Sequence, residues 1–136
     1  MTKTKSLVAL DVGEARIGVA VADSQVKIAM PFTTVPVDGN EVREIARIVI
    51  DQDADTIVVG YPRNQSGDPT AQTAYAEDFA TKLQDIDAEV VFQDESLTSV
   101  IAEQRLKERG QPYQKGDIDA EAAAIILQDY VEGKFA

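Results

Sequence analysis

The 136-residue chain contains no cysteine and no histidine. Without cysteine there are no disulfides, thiolate nucleophiles or cysteine metal sites, an absence in keeping with a reducing compartment. Without histidine no serine can be activated by an imidazole, and zinc sites of the usual nitrogen-and-sulfur kind are unavailable. Any metal must be held by oxygen, which points to Mg²⁺ or Mn²⁺. Positive charge is also scarce: 13 Lys and Arg face 24 Asp and Glu, leaving a net charge of −11 and a pI near 4.3. There is no surplus of cations to displace counterions from a polyanion, so contact with nucleic acid has to rest on a local basic cluster or on bound cations. No window approaches the roughly 18 uninterrupted apolar residues of a membrane span. The start, Met1-Thr2-Lys3-Thr4-Lys5-Ser6, leads into an apolar run with no cleavable signal pattern. The expectation is a cytoplasmic protein with no membrane partner, folded as one domain over 1–136 around a moderate core.

What is present begins with Leu7-Val8-Ala9-Leu10-Asp11-Val12-Gly13, an apolar run that reads as a buried strand. A buried strand carries Asp only at its end, where the side chain escapes the apolar layer. Gly13 is expected to supply a positive φ, and Ile17-Gly18-Val19-Ala20-Val21-Ala22 returns as the second strand of a hairpin. Residues 28 to 37, interrupted by Pro31 and Pro36, read as an edge strand or extended connector. Val42, Ile45, Ala46 and Val49 have the spacing of an amphipathic helix ending near Asp51, with Asp38 or Asn40 as cap. Thr56-Ile57-Val58-Val59-Gly60 is a further buried strand, parallel to the first because a helix intervenes.

A polar loop follows, and Asp68-Pro69 is expected to open a helix whose stripe is Ala71, Tyr75, Phe79 and Leu83. A short strand over 88–93 ends in Asp94-Glu95. A helix capped by Thr98 or Ser99 stops at Gly110, and a last helix is capped by Asp117. The order β-β-β-α-β-α-β-α-α predicts an α/β fold whose first three strands are antiparallel and whose later strands are added by helical crossovers. The carboxyl edge of such a sheet, where open α/β sheets bind ligands, collects Asp11, the loop after Gly60 and Asp94-Glu95.

Asp119, expected in the first turn of the last helix, shares a face with Ala122, Ala123, Ile126 and Tyr130 and so points inward. Alternation sends Asp94 and Glu95 to opposite sides, so at most one faces Asp11. Taken singly, these acids are explained by turns, helix ends and solvated strand ends. Taken together, carboxylates from three elements suggest a site for one or two hard divalent ions. Two ions about 3.5–4 Å apart can activate water and stabilise the leaving oxygen in phosphodiester cleavage. Arg16, Arg63, Arg105, Arg109 and Lys115 are the basic residues near this edge. Arg105 and Arg109 read as an ordinary solvated helix face, whereas the loop carrying Arg63 and Asn64 suits a substrate strand.

Four segments resemble, in order, the signatures of the YqgF (RuvX) family: Leu10-Asp11-Val12-Gly13-Glu14-Ala15-Arg16-Ile17-Gly18-Val19-Ala20, Val58-Val59-Gly60-Tyr61-Pro62, Asp94-Glu95-Ser96-Leu97-Thr98-Ser99, and the stretch from Asp119 to Tyr130. The resemblance spans nearly the whole chain. It implies a ribonuclease H-like three-layer fold with a mixed five-stranded sheet and helices on both faces. It also implies an endonuclease maturing the 5′ end of precursor 16S ribosomal RNA, with Holliday junction resolution on branched DNA as the alternative. It makes Asp11, Glu95 and Asp119 the acidic triad, with Asp94 in reserve as a metal ligand, and matches Arg16 to the family's first-motif arginine, suited to a backbone phosphate. Ser96 stands where the family usually has arginine and Ala15 where it usually has lysine, so cations expected near the scissile phosphate are missing. The acid that many ribonuclease H-like nucleases carry on the fourth strand is replaced by Gly60-Tyr61-Pro62, as in the family generally. Ribosomal or transcription proteins are further candidate partners, in a catalytically weak scaffold, and either a monomer or a homodimer fits. The Asp-Val-Gly-Glu-Ala-Arg segment also resembles the first phosphate-binding turn of the actin-like ATPases, which need two such domains to enclose a nucleotide.

Overall fold

The computed structural model describes residues 5–62, 68–95 and 98–134. The first apolar run is strand β1 (Ser6–Val12), paired antiparallel with β2 (Arg16–Asp23), which pairs antiparallel with β3 (Met30–Pro36). Helix α1 (Glu41–Asp51) carries the chain across to β4 (Thr56–Pro62), which lies parallel to β1. Helix α2 (Ala71–Thr81) leads to β5 (Glu89–Glu95), parallel to β4. Helices α3 (Thr98–Arg109) and α4 (Lys115–Lys134) complete the order. The sheet runs β3-β2-β1-β4-β5, with the proline-bearing β3 at one edge, where proline is tolerated.

Alternation along the strands splits the core into two layers. Val8, Leu10, Val19, Ile57 and Val59 face Ile45 and Val49 of α1 and Phe79 of α2. Leu7, Ala9, Ala20 and Val58 face Ala123, Ile126 and Leu127 of α4. Ala9, Ala20 and Ala123 are small, which lets α4 lie close to the sheet at those positions. Helix α3 rests on α4 through Ala102, Ala122 and Ile125. The fold class, element order and three-layer arrangement are those expected from the sequence.

Four local expectations are corrected. Gly13 does not take a positive φ, which among the described glycines belongs to Gly39 and Gly110. Glycine is needed at 13 for closeness: a Cβ there would lie 2.7 Å from the Arg16 carbonyl oxygen, which accepts the Gly13 N–H at 3.0 Å. Helix α2 starts at Ala71 rather than at Pro69, because Thr70 caps it and Thr73 returns the bond to the Thr70 N–H. Phe79 and Leu83 are buried as expected, while Ala71 is exposed and Tyr75 half-buried, and Thr73, Ala76 and Ala80 join the buried face; the Thr73 hydroxyl is satisfied by the Pro62 carbonyl. Helix α4 begins at Lys115, and Asp117 lies inside it, accepting the Gln114 N–H at 2.9 Å. Asp119 is therefore the fifth residue of α4 and stands beyond its first turn.

Candidate active site

Asp11 lies near the carboxyl end of β1, and its odd position puts it on the α4 side with Leu7 and Ala9. Its cross-strand partner on β2 is Gly18. Extending the parallel Leu10–Val59 pairing by one residue sets Gly60 on its other side. Asp11 is thus flanked in the sheet by two positions with no side chain.

Each vacant position seats another acid. A Cβ at Gly18 would lie 1.9 Å from the Asp119 carbonyl oxygen, so the backbone of α4 rests directly on β2 at this point. The Thr34 hydroxyl of β3 donates to the Gly116 carbonyl at 2.6 Å and holds the same end of the helix. A Cβ at Gly60 would lie 2.1 Å from Glu95 Oε2 and 2.8 Å from Ile126 Cδ1. Glu95 is paired in register with Pro62, so its side chain reaches back along the sheet to lie over Gly60 beneath α4. The fourth-strand position left without an acid is thereby covered by an acid from the fifth strand. Gly18 and Gly60 are the functional residues that sequence reasoning missed. The available signal was glycine in the interior of two apolar strands, which marks close approach of another group.

Alternation also separates Asp94 from Glu95. Glu95 shares the side of Val91, which packs towards α4, whereas Asp94 shares the side of Val90 and Phe92 and is exposed. The structure brings together Asp11, Glu95 and Asp119, and it leaves Asp94 on the opposite side.

The electrostatics follow from the seating. Burial pushes the Glu95 carboxyl up to about 8, with the charge of Asp11 adding to the effect. Burial likewise pushes Asp11 up to about 6, with Asp119 adding to it. Glu95 Oε2 is buried and has no hydrogen-bond partner among the described residues. An oxygen left in this state is destabilising until a proton or a cation meets it. The donor set therefore suits a hard divalent ion: carboxylate oxygens from three elements, one of them unsatisfied. Among the described residues, no three acids already have the spacing of a metal-ligand group, so binding requires the side chains to draw in.

Of the basic residues, Arg16 turns to the acids: its Nε donates to Asp119 Oδ2 at 2.7 Å. Lys115 is exposed at the start of α4, one turn before Asp119. Arg63 and Asn64 lie outside the described residues, as does Ser96. Arg109 is exposed, as expected of a solvated helix face, and pairs with Glu121 of α4, which is 2% exposed.

Sheet order, crossovers and a long helix over the acid-bearing strand define the ribonuclease H-like class. Two solved structures share it at low identity: Thermus thermophilus RuvC in complex with a Holliday junction substrate (TM-score 0.60, 13% identity, 96% of this chain and 95% of that one) and the Fowlpox virus resolvase with junction DNA (TM-score 0.59, 10% identity, 96% and 99%). The chain belongs to the RuvX family, whose model, described as Holliday junction resolvase, matches residues 5–133. Relatives named "Putative pre-16S rRNA nuclease" include those of Chloroflexus aggregans (41% identical over 135 residues, 96% of this chain and 95% of the relative), Anaeromyxobacter sp. Fw109-5 (39% over 132 residues, 93% and 96%) and Clavibacter sepedonicus (43% over 133 residues, 93% and 83%). No described helix is long and apolar enough to cross a membrane.

Proposed function

We propose that this chain is a cytoplasmic endonuclease, dependent on Mg²⁺ or Mn²⁺, that hydrolyses phosphodiester bonds at the 5′ end of precursor 16S ribosomal RNA. The observation that carries the hydrolytic reading is the seating of Glu95 and Asp119 on the glycines either side of Asp11. In this reading Asp11, Glu95 and Asp119 hold the ion, and Asp94, on the other side of the sheet, does not. When bound, one or two divalent ions would activate the attacking water and stabilise the leaving oxygen. The chain's own part is to fix three carboxylates on rigid elements, exclude water beneath α4, and release the proton that burial holds on Glu95.

The choice of RNA is supported by the names of relatives near 40% identity over almost the full chain. The family description favours a second reading, cleavage of four-way DNA junctions. A cleavage assay separates the two: precursor RNA and a synthetic junction are incubated with Mn²⁺ and either wild type or Asp11→Asn. RNA cleavage that needs the ion and drops at least about 100-fold in the variant is expected, since removing one charge-stabilising group at a reacting centre costs this much. Equal rates for the two proteins would remove Asp11 from the reaction. Cleavage of the junction alone would transfer the proposal to DNA.

A further inference from the structure

Arg16 opens β2 and shares the α4 side with Gly18, two residues on. Gly18 lets the backbone of Asp119 settle on the strand, which brings the Asp119 side chain to Arg16 and within electrostatic reach of Asp11. Asp119 thus faces a guanidinium and a like-charged acid at once. Its Oδ2 is occupied by Arg16 Nε at 2.7 Å, with the two side chains 40% and 21% exposed. A carboxylate oxygen so occupied is a poorer ligand for a divalent ion: one of its lone pairs is engaged, and the fixed positive charge repels the incoming one. The contact is also easily given up, because half-exposed ion pairs are weak and water can replace either partner. A released guanidinium stays tethered at the rim of the site and offers planar, paired donors that match a phosphate.

We propose that Arg16 is an exchangeable counter-cation, which holds the Asp119 carboxylate before an ion arrives and passes to a substrate phosphate once an ion has taken its place. The exchange rests on the divalent-ion reading above. It makes Arg16 a competitor for the ion in the free protein and a phosphate ligand in the complex. Ion binding and nucleic-acid binding are then positively coupled, each favouring the arrangement the other needs. It also explains why no described trio of acids has ligand spacing: one of the three is turned to an arginine.

The test uses the full chain and Mn²⁺ alone, titrated by calorimetry into wild type, Arg16→Gln and Arg105→Gln. Arg105 is exposed on α3, and its charge is felt by Asp129 instead. Arg16→Gln should bind Mn²⁺ about three- to tenfold more tightly than wild type, and Arg105→Gln within about twofold of it. A spectroscopic readout checks the exchange itself: the Arg16 Nε–H resonance should lose its hydrogen-bonded shift as Mg²⁺ is added to wild type. Equal or weaker Mn²⁺ binding by Arg16→Gln, an equal gain in Arg105→Gln, or an Arg16 resonance unmoved at saturating Mg²⁺ would each overturn the exchange while leaving the ion site standing. Absence of Mn²⁺ binding to all three proteins would overturn the exchange and the divalent-ion reading together.

Discussion

Two arginine–carboxylate pairs are anchored two residues apart on α4, and they differ in kind. Arg16 meets an Asp119 side chain that is 21% exposed, whereas Arg109 meets a Glu121 side chain that is 3% exposed. Burial of the carboxylate decides whether the cation can leave. Arg109 is itself 55% exposed, so what sets the two pairs apart is the carboxylate: if Arg109 withdrew, Glu121 would lose its cation while buried, a penalty of several kcal/mol. If Arg16 withdrew, water would reach Asp119 and little would be lost. The same side-chain chemistry therefore fastens α3 to α4 at one point and serves as a movable charge at the other.

The most disruptive way to probe this contrast is to unseat α4 itself. Gly18→Ala puts a methyl 1.9 Å from the Asp119 carbonyl oxygen, where backbone meets backbone and neither side can yield by a rotamer change. Urea denaturation should show a loss of about 3 kcal/mol or more, at the top of the range for overpacking. An unchanged midpoint would mean that α4 is not fixed by this contact.

Next comes the pair with the buried carboxylate. Arg109→Ala should destabilise the fold by about 3 kcal/mol, because Glu121 is left charged and unpaired. Adding Glu121→Leu should restore most of the loss, with Mn²⁺ affinity unaffected in both variants. A loss below about 1 kcal/mol would erase the distinction between the two arginines.

Glu95 has an oxygen with no hydrogen-bond partner among the described residues, and its behaviour with pH is the third probe. Its value is about 8 in the folded protein against 4.5 ordinarily. Between those values the folded chain keeps a proton that the unfolded chain has released, so this group's contribution to stability falls as pH rises through that window. Glu95→Gln should therefore gain stability relative to wild type as pH rises from 4 to 9, with the gap closing towards pH 4. Thermal unfolding across pH measures this, and a constant gap would show that Glu95 is not held in its burial site.

The smallest effect is expected at the movable pair, where Arg16→Gln should change stability by less than about 1 kcal/mol in urea. A loss as large as that of Arg109→Ala would make Arg16 a fastening as well, and its release to a phosphate untenable.

Much of the architecture was legible because it depends on short-range patterns. Runs such as Leu7 to Leu10 and Thr56 to Val59, the proline-marked β3 and the glycine stop after α3 placed the elements in order. Boundaries slipped where a side chain outcompeted the obvious signal: Thr70 over Asp68-Pro69 at α2, and Gln114 with Asp117 at α4. The acids were visible as candidates, yet their partners were not. Arg109 is solvated, as its helix face suggests, but its buried partner Glu121 lies on another helix and was not visible.

The amino-acid sequence by itself determined an oxygen-only ligand chemistry, an acidic balance, the order of strands and helices, and the delivery of carboxylates to one edge of the sheet. These follow from composition and from periodicities of two and 3.6, which are properties of neighbouring residues. Tertiary structure alone decided that Glu95 rather than Asp94 lies beneath α4, that Gly18 and Gly60 seat the acids beside Asp11, and that Arg16 occupies Asp119. The reason is that strand register and helix seating are set by packing across the sheet, and that packing joins residues up to 103 positions apart.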